Sequence, residues 1–376
     1  MPRHDVALYA ASSFSAGFYD RTRARAGGSE RQLTLLARAL AARGYRVAHV
    51  VYPPEDPIAL DDPRLTLVHR GPYAGNRRIV GDVLEAMRVA RALRRADASV
   101  TVVMSGSPAV GIAALVCRLS RRAFAFSSAS DSNFTFETMS NRLSRSLYRL
   151  GVRLADAVVV QSQHQYALAH QSFPTLSRVV CIPSFAESAP TTSAARDDSG
   201  VFLWVGRLVS YKQPLRYVEL ARAVPEARFV MIAVPEEATA QEVEALRAAV
   251  RDVRNLTVLD PLPHERLSEL VAQAVAVVNS STFEGVPNTF LEAWAHGVPV
   301  LTLQCDPDGV VAARGLGRAA GGSWDRFVEG ARELWAGRHD REELARRTRA
   351  YAQEVHSVDA VAARWSELID ELAGGR

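Results

Sequence analysis

The sequence predicts an α/β protein with two Rossmann-like domains, and three observations support this prediction. Apolar β-rich runs alternate with amphipathic helical runs along the whole chain, which is the pattern of βαβ units around a parallel sheet. The alternation stops once, at a small and polar stretch from residue 189 to residue 200, and then restarts. The length of 376 residues also suits two domains of about 150 residues each.

The first half of the chain shows this alternation up to the polar stretch. The predicted strands are Val6–Ala10, Arg46–Val51, Leu65–Val68, Val100–Met104, Ala123–Phe126 and Ala157–Gln161, and the predicted helices are Ser29–Arg43, Val80–Arg95 and Arg142–Leu154. The opening run, residues 5–10, is too short for a signal peptide and reads as a first strand. Because no run of about 18 apolar residues occurs, we expect no membrane-spanning helix.

The second half repeats the alternation and ends in one long helix. The predicted strands are Val201–Val205, Arg228–Ala233, Asn255–Leu259, Ala276–Asn279 and Pro299–Leu303, and the predicted helices are Pro214–Ala223, Ala238–Val250, His264–Gln273, Asn288–His296 and Val358–Leu372. We therefore expect one domain over residues 1–188, a second over residues 200–355 and a terminal helical segment over residues 356–376. Ligands of parallel sheets bind at the carboxyl ends of the strands, so we expect the site in a cleft between the domains.

Charge is distributed unevenly between the two halves, although the net charge of the whole chain is only +4. Residues 1–185 hold 24 Arg against 13 Asp and Glu, a net charge of +11, whereas residues 186–376 have a net charge of −7. Arginines at helical spacing line the basic half: Arg88, Arg91 and Arg95, then Arg142, Arg145, Arg149 and Arg153, with Arg118, Arg121 and Arg122 after a third apolar run. Such faces suit peripheral contact with an anionic membrane or ordinary solvent. No nucleic-acid partner is expected, because no interleaved aromatic residues accompany the arginines.

Three cysteines, Cys117, Cys181 and Cys305, are odd in number and far apart. They form neither a CxxC pair nor a Cys/His ligand pattern, so we expect no metal site and no disulfide framework. No bound cofactor is expected either. Free thiols fit the reducing cytoplasm. If the arginine faces bind lipid, the protein is expected at the inner face of the membrane.

The first motif with chemical meaning is a strand that ends in glycine and is followed by two cations, Gly206, Arg207 and Lys212. Glycine allows close approach of the backbone to a ligand. The planar fork of Arg207 can hold phosphate oxygens, and Lys212 adds a point charge. Lys212 is the only lysine among 45 basic residues, which favours a specific role over a solvated surface cation. Fixed cations aimed at a diphosphate leaving group stabilise its developing negative charge, as a metal ion does elsewhere.

The second motif leads from a predicted strand through a Gly/Pro turn into a helix. Its turn consists of Glu284, Gly285, Val286, Pro287 and Asn288. Backbone N–H groups at a helix N-terminus form an anion site. Glu292, in the first turns of the helix, can accept hydrogen bonds from the two hydroxyls of a ribose, or it simply favours the helix N-terminus by its charge. A separate turn at Leu262 and His264 either flanks the nucleotide base or starts a helix.

The third motif lies between the first strand and the first helix, at Gly27, Gly28 and Glu30. This glycine pair can bring backbone close to an acceptor or to the donor phosphates. It is not a GxGxxG sequence, so the dinucleotide fingerprint is absent. The alternative is a flexible loop in which Ser29 caps the helix.

Together the motifs resemble the signature of the retaining glycosyltransferases of family 4, which have the GT-B fold. The resemblance rests on Gly27-Gly28-x-Glu30, on Val205-Gly206-Arg207 with Lys212, and on Glu284-x7-Glu292 followed by Ala-x-Ala-x-Gly-x-Pro-Val. It covers nearly the whole chain, and its specific part lies in the second half. It implies two Rossmann-like domains that face each other across a cleft, with the final helix crossing back to the N-terminal domain.

The resemblance also implies roles for four side chains. Arg207 and Lys212 would hold the diphosphate of a nucleotide-sugar donor, Glu292 its ribose, and Glu284 would lie near the transferred sugar. The remaining turn residues, with Gly206 and Leu262, would line the donor site, and Gly27, Gly28 and Glu30 would serve the acceptor or the phosphates. The family needs no metal ion, which agrees with the lack of ligand clusters in this sequence.

One stretch departs from the family pattern. Many members carry a His, often His-Asp, after a middle strand of the first domain, but here Ser130 stands before Asp131. A histidine contact to the donor sugar is therefore not expected, and Asp131 is a candidate catalytic residue. The alternative is that Asp131 caps the helical segment at residues 133–139.

Three functions compete at this stage. The first is transfer of a sugar to a glycan, lipid-linked or small-molecule acceptor. The second is a nucleotide-sugar epimerase on the same scaffold, which needs more acid and base carboxylates than Asp131, Glu284 and Glu30 plainly supply. The third is an accessory protein that has lost turnover, against which the intact Arg207, Lys212, Glu284 and Glu292 argue. Slow release of nucleotide diphosphate without acceptor favours the first, and C2 epimerisation the second.

Overall fold

The computed structural model describes residues 2–10, 19, 27–53, 58–71, 79–104, 106–136, 141–187, 200–235 and 239–375. The predicted linker at residues 189–200 lies outside these ranges except for Gly200. The chain divides into two compact units. The first contains Gly27–Phe185, the first strand and Val358–Arg376, and the second contains Ala186–Ser357. Each unit is built on one parallel sheet, so the predicted α/β class with two parallel sheets is confirmed.

The strands of the first unit form a seven-stranded sheet. They are β1 (His4–Ala10), β2 (Val47–Val51), β3 (Leu65–His69), β4 (Ala98–Met104), β5 (Ala123–Ser127), β6 (Ala157–Val160) and β7 (Val179–Cys181). All pair in parallel, in the order β3-β2-β1-β4-β5-β6-β7. The inner strands are buried on both faces, which is why they read as unbroken apolar runs instead of alternating with polar residues.

The second unit holds a six-stranded parallel sheet. Its strands are β8 (Phe202–Arg207), β9 (Phe229–Val234), β10 (Leu256–Leu259), β11 (Ala276–Asn279), β12 (Val300–Thr302) and β13 (Gly317–Ala319). The order is β10-β9-β8-β11-β12-β13, so the chain builds outward from β8 on one side and from β11 on the other. The reversal between β8 and β11 is the topological switch point, where open parallel sheets place their ligands.

Helices connect the strands and cover both sheets. In chain order they are α1 (Gly28–Ala42), α2 (Ile79–Ala96), α3 (Ala109–Leu119), α4 (Ser132–Thr135), α5 (Arg142–Leu154), α6 (Gln163–Ser172), α7 (Pro214–Ala223), α8 (Ala240–Val250), α9 (His264–Gln273), α10 (Asn288–Ala295), α11 (Val310–Ala313), α12 (Trp324–Ala336), α13 (Glu342–Val355) and α14 (Val358–Gly374). Within the described ranges, all three cysteines are free thiols, two buried and Cys181 half-buried.

Two cores lie on the two faces of the first sheet. One joins α1 and α14 to the strands, with Trp365, Leu368 and Ile369 of α14 buried in it. The other joins α2, α3 and α5 to the opposite face. Helices α3 and α5 cross closely at two glycines, because a Cβ on Gly111 would lie 2.2 Å from the Leu147 carbonyl oxygen and one on Gly151 would lie 2.5 Å from the Gly111 nitrogen.

The second sheet also carries a core on each face. Helices α7 and α12 pack on one side, and α10 packs on the other with Trp294 fully buried. Tyr217 of α7 is buried, and its hydroxyl donates to the Phe202 carbonyl oxygen at 2.7 Å, which ties that helix to the first strand of the unit. Strand β8 and helix α10, which carry the two main motifs, are therefore held rigidly within one unit.

Candidate active site

The carboxyl ends of β8 and β11 bring the first two motifs together. The strands are neighbours in the sheet and run in parallel, so the segments that follow them leave from the same edge. The Thr282 backbone N–H donates to the Tyr211 carbonyl oxygen at 2.8 Å, which joins the segment after β11 to the one after β8. Two stretches about 70 residues apart in sequence thus form one surface, as expected at a switch point.

Ser280 fastens these two segments to the core. The hydroxyl lies 2.8 Å from the Lys212 carbonyl oxygen and 3.0 Å from that of Gln213, and it accepts from Trp204 Nε1 at 3.0 Å. Ser280 itself is fully buried. Gln213 adopts a left-handed φ of 47°, which turns the chain from the short 3-10 segment Ser210–Lys212 into α7. The position of Lys212 is therefore set by buried hydrogen bonds.

Lys212 and Glu284 form an ion pair at the centre of the site. The Lys212 Nζ donates to Glu284 Oε1, and both side chains are largely buried. The same Oε1 accepts from the Ser281 hydroxyl at 2.8 Å and lies 3.4 Å from Asn279 Nδ2. Three donors from two segments thus fix one carboxylate oxygen, and charge-assisted bonds of this kind are stronger than neutral ones.

Arg207 lies on the same edge and is bridged to Lys212 by an aromatic side chain. Its Nη2 donates to the Tyr211 hydroxyl at 2.8 Å, and the Lys212 Nζ lies 5.6 Å from the centre of the Tyr211 ring. That ring stacks on Phe283 with centroids 4.8 Å apart. Tyr211 and Phe283 were not singled out from the sequence, although each lies directly beside a predicted site residue.

Gly206 has a packing reason in addition to the predicted one. A Cβ at this position would lie 3.0 Å and 3.2 Å from two atoms of the Trp204 ring, so a larger residue would press on the side chain that holds Ser280. The absence of a side chain at 206 is therefore explained by local packing, and close approach of a ligand remains a prediction.

Glu292 lies in the second turn of α10 and is buried. The Nδ1 of His264 is 3.6 Å from Glu292 Oε1, and its Nε2 is 3.3 Å from Glu187 Oε2. His264 is the first residue of α9, which agrees with the helix-start interpretation, yet its ring also bridges two carboxylates. Glu187 was not predicted, because no sequence pattern links it to His264 and Glu292, which lie 77 and 105 positions later.

The turn before α10 presents the remaining predicted donor residues. Helix α10 begins at Asn288, and Pro287 before it is extended, with φ −62° and ψ 127°. Pro287, the residue before the helix, makes no side-chain capping hydrogen bond. Gly285 and Val286 are partly exposed in the turn, and Leu262 and Val286 pack on the core beneath it.

In the first unit, the glycine motif precedes α1. Gly27 has a φ of 138°, which favours glycine, and the helix begins at Gly28. Ser29 therefore lies inside the first turn and is not the cap, so that alternative is wrong. Its hydroxyl donates to Glu30 Oε2 at 2.9 Å, and Glu30 is buried.

Asp131 precedes α4 but makes no capping hydrogen bond, so the capping alternative is also wrong. Asn133, inside α4, instead fixes the loop before the helix, since its Oδ1 accepts from the Ala129 nitrogen at 2.9 Å and the Ser130 nitrogen at 3.3 Å. Asp131 Oδ2 instead lies 3.6 Å from Nε2 of His164, the second residue of α6. A histidine thus reaches Asp131 from a different part of the first unit, which the spacing of the sequence did not reveal.

The described part of the chain contains no group of three or more His, Cys, Asp or Glu arranged to hold a metal ion. Over the same residues, no helix has the length and apolar character needed to cross a membrane.

Two family models match the chain. The model described as Glycosyltransferase Family 4 matches residues 26–187, and the model described as Glycosyl transferases group 1 matches residues 199–337. An uncharacterized glycosyltransferase of Haemophilus influenzae is 23% identical over 299 residues, which are 77% of this chain and 81% of that protein.

Solved structures share the architecture of both units. A sucrose-phosphate synthase from Thermosynechococcus elongatus matches with a TM-score of 0.78 at 17% identity, over 100% of each chain. The Anabaena protein HepE, solved in complex with UDP-glucose, matches with a TM-score of 0.73 at 14% identity, over 98% of this chain and 100% of its own. At these identities the likeness establishes a common fold.

Proposed function

Because the chain belongs to the family 4 glycosyltransferases with the GT-B fold, we propose that it transfers a sugar from a nucleotide-diphosphate-sugar donor with retention of anomeric configuration. The proposed acceptor is a glycan, a lipid-linked sugar or a small molecule. The observation that supports this most directly is the convergence of Arg207, Lys212 and Glu284 at the adjoining carboxyl ends of β8 and β11.

In this proposal Arg207 and Lys212 bind the donor diphosphate. As the bond to the sugar breaks, negative charge develops on the leaving phosphate, and two cations already fixed in place stabilise it without reorganisation. Lys212 carries three N–H donors, so it can keep its bond to Glu284 and still donate to a phosphate oxygen. Tyr211 holds the Arg207 guanidinium on the same edge.

Glu284 is proposed to face the transferred sugar. Lys212, Ser281 and Asn279 are all directed at Oε1, so we expect Oε2 to accept from a sugar hydroxyl. Positive charge develops at the anomeric carbon in the transition state, and a nearby carboxylate stabilises it. The carboxylate therefore both orients the sugar and favours the transition state.

Glu292 is proposed to accept hydrogen bonds from the ribose hydroxyls, with His264 holding the carboxylate in place. The backbone N–H groups of Gly285, Val286 and Asn288 at the start of α10 would bind phosphate oxygens. The apolar side chains of Leu262 and Val286 would contact the nucleotide base. These contacts bind the donor without taking part in bond breaking.

We propose that the reaction needs neither a metal ion nor a cofactor, since Arg207 and Lys212 supply the positive charge. Gly27, Gly28, Glu30 and Asp131 are assigned to the acceptor side or to phosphate contacts from the first unit. We also propose a cytoplasmic location, at the inner face of the membrane if the acceptor is lipid-linked.

A donor panel tests the proposal. HepE was solved with UDP-glucose, so UDP-sugars come first, followed by GDP- and ADP-sugars. Each nucleoside diphosphate is first ranked by thermal shift, because a ligand that binds only the native state raises stability by RT ln(1 + [L]/Kd). The best donor is then incubated without acceptor and in excess chelator.

Slow release of nucleoside diphosphate that disappears in Lys212→Ala is the expected result. A C2-epimerised sugar nucleotide would instead favour the epimerase, and binding without any turnover would favour an accessory role. Activity that is lost in chelator and restored by magnesium or manganese would contradict the metal-independent mechanism.

A further inference from the structure

The outward surface of three helices in the first unit differs from the rest of the chain. Helices α2, α3 and α5 bury their inner sides in the same core on one face of the sheet, and α3 packs against both of the others. Their outer sides therefore form one continuous helical surface, which we call the outer helix surface.

Apolar side chains are concentrated on the outer helix surface. Of the ten large hydrophobic residues that are exposed in the described chain, seven lie on these three helices. The most exposed are Leu143 of α5 at 78%, Leu119 of α3 at 77% and Val83 of α2 at 54%. Single exposed hydrophobics are normal on a soluble protein, but a group of them on adjoining helices marks an interaction site.

The charge around the exposed leucines of α3 and α5 has one sign. Neither α3 nor α5 contains an Asp or Glu. Arg118 and Arg121 flank Leu119, and both are exposed. On α2, the exposed positions after Met87 are Arg91, Arg94 and Arg95.

Helix α5 shows how the two kinds of residue share one stripe. Leu143, Ser146, Leu150 and Arg153 are exposed and follow each other at three- and four-residue spacing. Arg149 is not part of this stripe, because its guanidinium lies over the rings of Phe136 and Phe173, at 5.0 Å and 5.4 Å from their centroids. The predicted arginine face of α5 is thus a stripe of two leucines, a serine and an arginine in the folded protein.

We propose that the outer helix surface docks on an anionic phospholipid bilayer, with the leucines inserted among the acyl chains and the arginines on the headgroups. Protein interfaces exclude charge from their core, whereas here exposed leucines and arginines lie side by side, as on helices that lie in a membrane interface. Anionic headgroups complement the arginines around the leucines of α3 and α5, since neither helix carries a carboxylate. Docking would bring the enzyme to the lipid-linked acceptor of the proposed function, and in this respect it rests on that function. Docking itself requires neither donor nor turnover.

Vesicle flotation of the full chain, without substrates, tests the docking. The protein is mixed with vesicles of phosphatidylcholine, with or without phosphatidylglycerol. We expect binding to the anionic vesicles only, weakened by salt. The variant Leu119→Ser/Leu143→Ser/Leu150→Ser should bind at least about tenfold more weakly, because three leucines lose their insertion. Arg118→Gln/Arg121→Gln/Arg142→Gln/Arg153→Gln should lose about a hundredfold.

A matched control comes from the second unit. Leu215 and Val258 are 42% and 41% exposed, close to the 41% of Leu150, so Leu215→Ser/Val258→Ser shows the effect of removing exposed apolar side chains outside the outer helix surface. This variant should float like the wild type. Circular dichroism and thermal melting check that all variants fold.

Three outcomes would overturn the proposal. The first is equal flotation with neutral and anionic vesicles, and the second is unchanged binding of the triple leucine variant. The third is a wild-type chain that does not float but forms a leucine-dependent dimer by light scattering, which would make the surface an interface between copies. Sugar transfer to a soluble acceptor is measured separately, so failure of docking and failure of the proposed function are distinguishable.

Discussion

The two units have the same architecture but place their distinctive residues differently. In the second unit the candidate residues meet at one sheet edge, tied by hydrogen bonds among Lys212, Ser280 and Glu284. In the first unit the distinctive feature is a broad surface of arginines and leucines on α2, α3 and α5. Its candidate site residues, Glu30 and Asp131, interact with neighbours in their own unit. A parallel sheet can therefore carry either a compact polar site or an extended surface.

If this contrast is correct, changes at the sheet edge of the second unit affect turnover most. Lys212→Ala should reduce kcat/KM for transfer by about a thousandfold, because it removes a fixed cation from the leaving group and leaves Glu284 without its charged partner. Steady-state kinetics with saturating acceptor measures this. Arg247→Ala, at an exposed surface ion pair with Glu244, is the control and should stay near wild type.

If Arg247→Ala lowered kcat/KM as much as Lys212→Ala, the effect would not be specific to the sheet edge, and the site assignment would be wrong. A loss in Lys212→Ala that Lys212→Arg restores fully would show that charge alone is needed. Partial recovery is expected instead, because the planar guanidinium does not reproduce the ammonium geometry.

Glu284→Gln should lower kcat by about a hundredfold and change donor affinity little, because a carboxylate beside the anomeric carbon stabilises charge that exists only in the transition state. The amide keeps the shape and loses the charge. The measurement is kcat and donor KM, together with direct binding of the nucleoside diphosphate. If donor binding fell and kcat did not, Glu284 would hold the nucleotide and not the sugar.

A prediction for the first unit concerns stability and not turnover. His49 of β2 is fully buried, and burial lowers its pKa to about 3, while Tyr19 hydrogen-bonds Nδ1 at 2.7 Å. The unfolded chain binds a proton near pH 6.5 and the folded chain does not. Stability is therefore lost as pH falls through 6.5 towards 3, by about 2 kcal/mol between pH 7 and pH 5.

Urea unfolding of wild type and His49→Gln at pH 7 and pH 5 tests this term. The glutamine variant does not titrate, so its loss of stability between the two pH values should be smaller by about 2 kcal/mol. Identical pH dependence in both proteins would show that His49 is not the group responsible.

Much of the fold could be predicted from the sequence, and the misses have physical causes. Strands β7 and β13 have three residues each, too few to show a period. Helix α3 is apolar on its buried side and also carries the exposed Leu115 and Leu119, so it lacks an amphipathic pattern. Helices α12 and α13 were also missed, although Phe327, Ala331 and Leu334 of α12 follow helical spacing.

The candidate site could be predicted only where its residues are close in sequence. Around Gly206 and around Glu284, the residues that suggest a donor site lie within a few positions of each other. The bond between Lys212 and Glu284 spans 72 positions, and the contact of Glu187 with His264 spans 77, so neither follows from spacing. Such contacts arise from the order of strands in the sheet, which a single sequence does not display.

Glu292→Gln separates donor binding from turnover within the second unit. The ribose lies far from the breaking bond, so this contact should be equal in ground state and transition state and affect mainly KM. Loss of a charged hydrogen bond should raise donor KM by roughly tenfold, with a smaller fall in kcat. A variant with normal KM and low kcat would reverse the roles given to Glu284 and Glu292.

The smallest expected effect is that of His264, which touches no substrate in the proposed mechanism and acts by positioning Glu292. His264→Asn should raise donor KM by about threefold to tenfold and leave kcat nearly unchanged, since an ion-pair contact of this length contributes about 1 kcal/mol or less. The long distance of 3.6 Å to Glu292 is the reason for expecting the lower end. The double variant His264→Asn/Glu292→Gln should resemble Glu292→Gln alone, because the histidine has no carboxylate left to orient. Additive effects on KM would instead mean that His264 contacts the donor directly, and it would then belong to the binding site itself.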